Sequence, residues 1–135
     1  AAAPTEFTTP HDLADIDRIA QAVFVTIPQA LRQHVEGVVI RIEDFPDDET
    51  VEDMELESPF DLLGLYRGAD LAHSGANDLR RDVDMILLYR RPLLDYWCDS
   101  GEDLAQLVRH VLIHEIGHHF GFSDDDMEAI DSGPA

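Results

Sequence analysis

The segment of residues 100–121 constrains the fold more than any other part of the chain. Successive residues of an α-helix advance by about 100°, and at this spacing four apolar side chains share one face. They are Leu104, Leu107, Val108 and Val111. The same face continues with His114, Glu115 and His118, and burying three ionisable groups without partners would cost several kcal/mol. We predict a core-facing helix, opened by a capping box over Ser100–Asp103, whose ionisable end needs a binding partner.

The spacing of His114 and His118 suits a shared metal ion. Side chains four residues apart on a helix have Cβ atoms about 5–6 Å apart. Both imidazoles can therefore bind one zinc ion at about 2.0–2.1 Å. Glu115 lies beside this pair, where it can take a proton from a metal-bound water without being a ligand. HExxH is moderately specific by itself, because chance matches and noncatalytic uses occur.

Asp124 is the predicted third ligand and completes the pattern HExxHxxGxxD. Gly121 readily adopts the left-handed conformation that ends a helix, and a chain that turns back there can bring Asp124 toward the metal. Alternatively, Asp124 is a first-turn acid favoured by the helix dipole, because Ser123 to Asp126 is itself a capping-box pattern. A catalytic zinc needs three protein ligands, which favours the first interpretation. Glu128 is the reserve ligand.

Other side chains near this segment are expected to have lesser roles. His110 lies one turn before the first ligand but closer to the polar face. We therefore expect it to be at the surface or to contact a metal ligand without binding the metal itself. His119 points about 100° away from His118, as a neighbour of the site or a substrate-side group. Tyr66 and Tyr89 are candidates for stabilising an oxyanion. Two histidines and one carboxylate can also hold Fe(II), so the residues alone do not fix the metal.

The rest of the chain predicts further helical segments and three strands. With Thr9 as N-cap and Pro10 as the first helical residue, apolar residues recur at helical spacing up to Ile27. Pro28 should end or kink this helix, and a second helical piece should stop at Gly37. Three segments have strand patterns, namely VVIRIE (38–43), GLYRG (64–68) and DMILLYRR (84–91).

The intervening segments are predicted mostly as loops. Residues 43–61 are acidic and contain Pro46 and Pro59, which is typical of a solvated loop with about one helical turn. Residues 69–83 are polar and should form a second loop, with His73 at the surface. PLLDYW (92–97) should make a short helical turn. Strands and helices in this order predict an α+β fold.

Length and charge limit the possible architectures and partners. A chain of 135 residues can form one compact domain but not two ordinary ones, so we predict a single domain over residues 1–135, with residues 1–8 flexible. The net charge is −20, from 29 acidic and 9 basic residues. Such a field repels phosphate groups, which argues against nucleic acid and anionic membranes as partners.

Cysteine usage and hydropathy indicate the compartment. Cys98 is the only cysteine, which excludes an intramolecular disulfide and a cysteine-based zinc cluster and fits a reducing cytoplasm. No segment approaches the roughly 20 apolar residues that span a bilayer, and the N-terminal residues lack a signal-peptide pattern. We expect a cytoplasmic monomer.

The chain resembles the zincin metallopeptidases in three segments, HEIGHHFGFSDDDM, GLYRG and DMILLYRRPLL. More closely, it is similar to a family of small bacterial proteins described as predicted zinc-dependent proteases with a matrix-metalloprotease-like domain. The resemblance implies a minimal zincin-like domain, with a small twisted mixed sheet, a backing helix and an active-site helix. It also implies one zinc ion held by His114, His118 and Asp124, with Glu115 as general base and a peptide or protein as substrate. DMILLYRR would be a rim strand that pairs with an extended peptide.

Gly121, after the second histidine, resembles the metzincin branch of the zincins, but two departures from that branch matter. Most metzincins have His at the position of Asp124, and only 11 residues follow it here, too few for the usual C-terminal subdomain with its methionine turn. Met127 is too close to Asp124 for that role. We therefore predict a minimal zinc metallopeptidase. The alternatives are a noncatalytic metal-stabilised binding module with an acidic surface and, third, a metal-free helical protein.

Overall fold

The computed structural model describes residues 11–68 and 83–132. Over these residues the chain forms six α-helices, one 3-10 turn and a three-stranded sheet, which confirms the predicted α+β fold. In chain order the elements are α1 Leu13–Phe24, α2 Gln29–Arg32, β1 Val39–Glu43, α3 Asp48–Asp53, the 3-10 turn Pro59–Asp61, β2 Gly64–Arg67, β3 Met85–Tyr89, α4 Arg90–Ser100, α5 Leu104–His119 and α6 Asp124–Ser132.

The sheet is mixed, with strand order β1-β3-β2. β1 pairs with β3 in parallel, with Val39 opposite Met85, and β2 pairs with β3 in antiparallel, with Gly64 opposite Leu88. The prediction that β3 is a rim strand open to a peptide is therefore wrong, because β3 has a hydrogen-bonded neighbour on each side. Its continuous apolar run is typical of a central strand. Among the described strands, β1 and β2 form the edges.

Helices α1 and α5 form the packed core with the sheet. α1 contacts α5 and β1, while α5 contacts β2. α1, which is the predicted backing helix, buries Ile16 and Ala20 completely. The apolar face predicted for α5 is buried too, in Leu104, Leu107, Val108 and Val111. The backing helix and the core-facing helix are both confirmed.

The boundary between α4 and α5 differs from the prediction. α4 continues through Ser100, and Gly101 ends it with a left-handed φ of 73°. Asp103 is the N-cap of α5, and its carboxylate accepts a hydrogen bond from the backbone N–H of Gln106 at 3.2 Å. The predicted capping box over Ser100–Asp103 is therefore wrong, because Ser100 belongs to the preceding helix.

The N-terminal half follows the predicted pattern with shifted ends. α1 has Asp12 as N-cap, in a reciprocal capping box with Asp15. It ends before Pro28, as predicted, and Gly37 follows α2 with a left-handed φ of 80°. The acidic segment contains α3 and the 3-10 turn.

Some predictions fall outside the described residues. They are the flexible residues 1–8, the N-cap Thr9 with Pro10, and most of the loop 69–83 with His73. The single-domain prediction stays a prediction. Within residues 11–68 and 83–132, no helix combines the length and the apolar character that crossing a bilayer requires.

The N-cap of α3 gives a pH-dependent test of the fold. The side chain and backbone of Thr50 both hydrogen-bond to Asp47 and hold the pKa of that carboxyl below its ordinary value. Asp47→Ala should lower the free energy of unfolding at pH 7 by about 1 kcal/mol, since losing an N-cap costs about 0.5–2 kcal/mol. The folded-state pKa is the lower one, so this stabilisation is present at neutral pH and disappears as the pH falls through it.

Urea denaturation at pH 7 and at stepwise lower pH measures this difference. Asp53→Ala, at the other end of α3, is the matched control and should not reproduce the loss. Equal stability of Asp47→Ala and the unaltered protein at pH 7 would contradict the prediction.

Candidate metal centre

The C-terminal end of α5 carries two rows of ionisable side chains, each with a spacing of four residues. His114 and His118 form one row, and Glu115 and His119 form the other. The second row contacts β2, because Glu115 accepts a hydrogen bond from the backbone N–H of Tyr66 and the His119 ring stacks on the Tyr66 ring. The predicted ligands and the predicted base therefore lie on adjacent sides of the helix, about 100° apart.

The ring centres of His114 and His118 lie 5.8 Å apart. Two imidazoles that bind one tetrahedral zinc at about 2.0–2.1 Å have ring centres about 5 Å apart. The Oδ1 atom of Asp124 lies 3.9 Å from the Nε2 atom of His118. The structure thus brings the three predicted ligands to one end of α5, with Asp124 beside the second histidine.

These side chains do not surround a common point at which a metal ion would bind. Among the described residues, no three side chains of the ligand-forming types converge closely enough to do so. The donor set nevertheless fits zinc, with two imidazoles and one carboxylate on exposed or half-buried side chains that can rotate toward a common point. The roles of His114, Glu115, His118 and Asp124 stay predictions.

The burial of the ionisable groups differs from the sequence-based expectation. His114 and Glu115 are half-buried, whereas the side chain of His118 is 60% exposed. His118 lies on a different side of the helix from the residues that are buried at this end of α5. The buried residues are Leu112, Ile113, Ile116 and Gly117. The continuation of a buried face therefore explains the first two residues but not His118. Its exposure leaves one side of the candidate site open to solvent.

The turn predicted at Gly121 is present. Gly121 has a φ of 82°, its N–H donates to the carbonyl of His118 at 3.3 Å, and the N–H of Phe122 donates to the carbonyl of Gly117 at 2.8 Å. These two bonds form a Schellman motif, which satisfies carbonyls that a helix end leaves without partners. The chain reverses within four residues and starts α6 at Asp124.

The capping box proposed as the alternative role for this acidic segment also forms, but without Asp124. The N–H of Asp126 donates to Ser123 Oγ at 3.0 Å, and the N–H of Ser123 donates to the Asp126 carboxylate at 3.4 Å. Asp124 lies in the first turn of α6, as the alternative predicts, and its carboxylate also lies next to His118. Glu128, the reserve ligand, is exposed one turn later on α6.

Gly117 allows α6 to pack directly on α5. A Cβ atom added to Gly117 would lie 2.2 Å from Sδ and 2.6 Å from Cγ of Met127, and Met127 is completely buried. The sequence pattern assigns Met127 no role. Because glycine inside a helix costs about 0.5–1 kcal/mol relative to alanine, its position in an otherwise regular helix was the available signal of such a contact.

The environment of Glu115 suits a proton acceptor. Burial raises the pKa of Glu115, while the hydrogen bond from Tyr66 N–H at 3.2 Å and the nearby His118 limit the rise. Burial, together with His110 and His118, lowers the pKa of His114. Neutral imidazole is the form that binds metals, so His114 is in the right state at neutral pH.

The two tyrosines named as oxyanion candidates both have buried side chains. Tyr66 is buried and its hydroxyl donates to the carboxylate of Asp84, while Tyr89 is 2% exposed. Burial raises the pKa of Tyr66 strongly and that of Tyr89 to about 12. The contribution of Tyr66 is its backbone N–H, which sequence patterns do not reveal because it depends on the pairing of β2.

Comparison with known proteins adds one finding. Residues 35–133 match the sequence profile of a protein family described as Zincin-like metallopeptidase. The match begins before β1, extends to the end of α6 and includes all four predicted site residues. No curated protein matches the chain.

The contact between Gly117 and Met127 predicts the sign of a mutational effect. Gly117→Ala should lower the free energy of unfolding by about 1–3 kcal/mol, because the added methyl group overpacks a buried contact. Helix propensity alone would give the opposite sign, a gain of about 0.5–1 kcal/mol. In a Met127→Ala background the same change should be neutral or stabilising, since the atoms that it meets are gone. Urea denaturation of the four proteins measures both effects, and a stabilised single variant would disprove the contact.

Proposed function

Because the chain belongs to the zincin-like metallopeptidase family, we propose that it is a zinc-dependent peptidase that holds one zinc ion with His114, His118 and Asp124. The observation that carries this proposal is the position of Glu115. Its half-buried carboxylate is hydrogen-bonded to β2 on one side of α5, while the two histidines occupy the adjacent side.

Zinc in such a site supplies a Lewis acid that polarises a carbonyl group and lowers the pKa of water toward about 7. The protein supplies the proton acceptor. Tyr66 N–H occupies Oε1 of Glu115, which leaves Oε2 to take a proton from the attacking water and pass it to the leaving amine. The raised pKa of Glu115 makes its carboxylate a stronger proton acceptor.

β2 replaces β3 as the strand proposed to bind the substrate. β2 pairs with β3 along one edge only, and the N–H of Tyr66 points from the other edge toward Glu115. A peptide that adds to this edge in extended conformation would pair with backbone groups of β2 other than the Tyr66 N–H, which Glu115 occupies. We therefore propose an extended peptide or an unfolded protein segment as substrate. We also propose that the protein acts as a monomer in the cytoplasm.

A second candidate function is a noncatalytic binding module stabilised by metal. The exposure of His118 and Asp124, whose side chains are 60% and 85% accessible, favours it, because an open metal site can also stabilise an acidic binding surface. The two functions share their ligands and differ in the need for Glu115.

Variants of Glu115 and His114 test the proposal. Glu115→Gln should keep stoichiometric zinc and slow hydrolysis by about 10²–10⁴-fold, because the proton acceptor is lost. His114→Ala should lose the zinc as well. Zinc is measured by mass spectrometry after equilibration with buffered zinc, and hydrolysis with a quenched fluorescent peptide library.

Glu102→Gln is the matched control, since Glu102 is exposed just before α5 and should behave like the unaltered protein. Unchanged hydrolysis by Glu115→Gln would refute the role of Glu115. An unaltered protein that binds zinc but cleaves no peptide would favour the binding module, and one that takes up no zinc would exclude both functions.

A further inference from the structure

Two consecutive residues of α5 hold one carboxylate of α6. Arg109 Nη1 donates to Oδ1 of Asp131 and, at 3.0 Å, to its backbone carbonyl. His110 Nδ1 lies 3.2 Å from Oδ2 of Asp131. Each oxygen of the carboxylate therefore has its own partner, and we call this group the Asp131 clamp.

The Asp131 clamp differs from an ordinary surface ion pair. The side chains of Arg109 and Asp131 are only 14% and 26% exposed, so solvent screens the interaction less than on an open surface. Asp131 also lies in the last turn of α6, where the helix dipole disfavours a negative charge. Arg109 places a cation at this position, which offsets the unfavourable interaction of the carboxylate with the helix dipole. It also hydrogen-bonds to a terminal carbonyl.

The clamp lies at the far end of α6 from the candidate ligand. α6 runs back along α5, with Asp124 beside His118, Met127 against Gly117 and Asp131 against His110. Contacts at the two ends and in the middle fix the direction of the helix. Asp124 is 85% exposed, and its one described contact with a predicted ligand is 3.9 Å long. Its position therefore depends on how α6 as a whole is held.

We infer that Asp131 is a positioning residue, which through Arg109 and His110 holds α6 so that Asp124 can reach the zinc ion. The inference rests on the proposed function, since it assumes that Asp124 is a ligand. Asp131 itself does not touch the metal. Losing the clamp removes the contact at the outer end of α6, and because the helix moves as one unit, Asp124 can then shift about the Met127 contact.

A double-mutant cycle on zinc affinity tests this role. The proteins are the unaltered chain, Asp131→Asn, Asp124→Ala and the double variant, titrated with zinc in competition with a fluorescent chelator. Asp131→Asn should weaken zinc binding by about 10-fold or more, the size typical of residues that orient metal ligands. In the Asp124→Ala background the same change should matter less than about 3-fold, because the residue that it positions is gone.

Two further proteins serve as controls. Asp125→Asn removes the same charge from the exposed surface of α6 and should bind zinc like the unaltered protein. Arg109→Met breaks the clamp from the α5 side and should reproduce Asp131→Asn, which covers the case that Asp131→Asn folds poorly. Thermal melts without zinc identify the temperature at which all the compared variants are folded.

The outcomes separate the inference from the proposed function. If Asp124→Ala weakens zinc binding but neither clamp variant does, the inference is wrong and the ligand assignment stands. Equal effects of Asp131→Asn in both backgrounds would show a general structural role and also overturn the inference. If Asp124→Ala binds zinc like the unaltered protein, the ligand assignment and the inference both fail.

Discussion

The burial of α5 is the constraint on which the candidate site depends. Eight of its sixteen residues are buried, and they lie between α1 and the sheet. This packing fixes both the rotation of the helix and its position along its axis. The rotation turns Glu115 toward β2 and leaves the His118 side chain exposed. One buried helix thus gives the neighbouring side chains of a single motif quite different environments.

Much of this arrangement could be predicted because it is local in sequence. The apolar period of α5 predicted its buried face, and a glycine at position 121 predicted a left-handed helix end. The three strand patterns were placed within one or two residues of β1, β2 and β3. In each case a backbone preference or a side-chain period acts within a few residues, and tertiary packing reinforces it.

The features that were missed depend on distant parts of the chain. The apolar run of β3 fits either a central strand or the wall of a groove, and only its pairing with β1 and β2 decides between them. The buried side of α5 shifts toward Ile113, Ile116 and Gly117 at its C-terminal end. The exposure of His118 could therefore not be read from the apolar period of the first turns. The packing of Met127 on Gly117 needs the reversal at Gly121 and the direction of α6 together.

The hydrogen bond between Tyr66 and Glu115 joins residues 49 apart, whereas the three proposed ligands lie within eleven consecutive residues. Closing a short loop costs little chain entropy, so the ligand set can form early in folding from neighbouring segments. The placement of Glu115, the proposed base, belongs to the long-range contacts, because it requires β2 to be paired in the sheet. A chain with an unformed sheet could therefore acquire the metal before it acquired the means to use it.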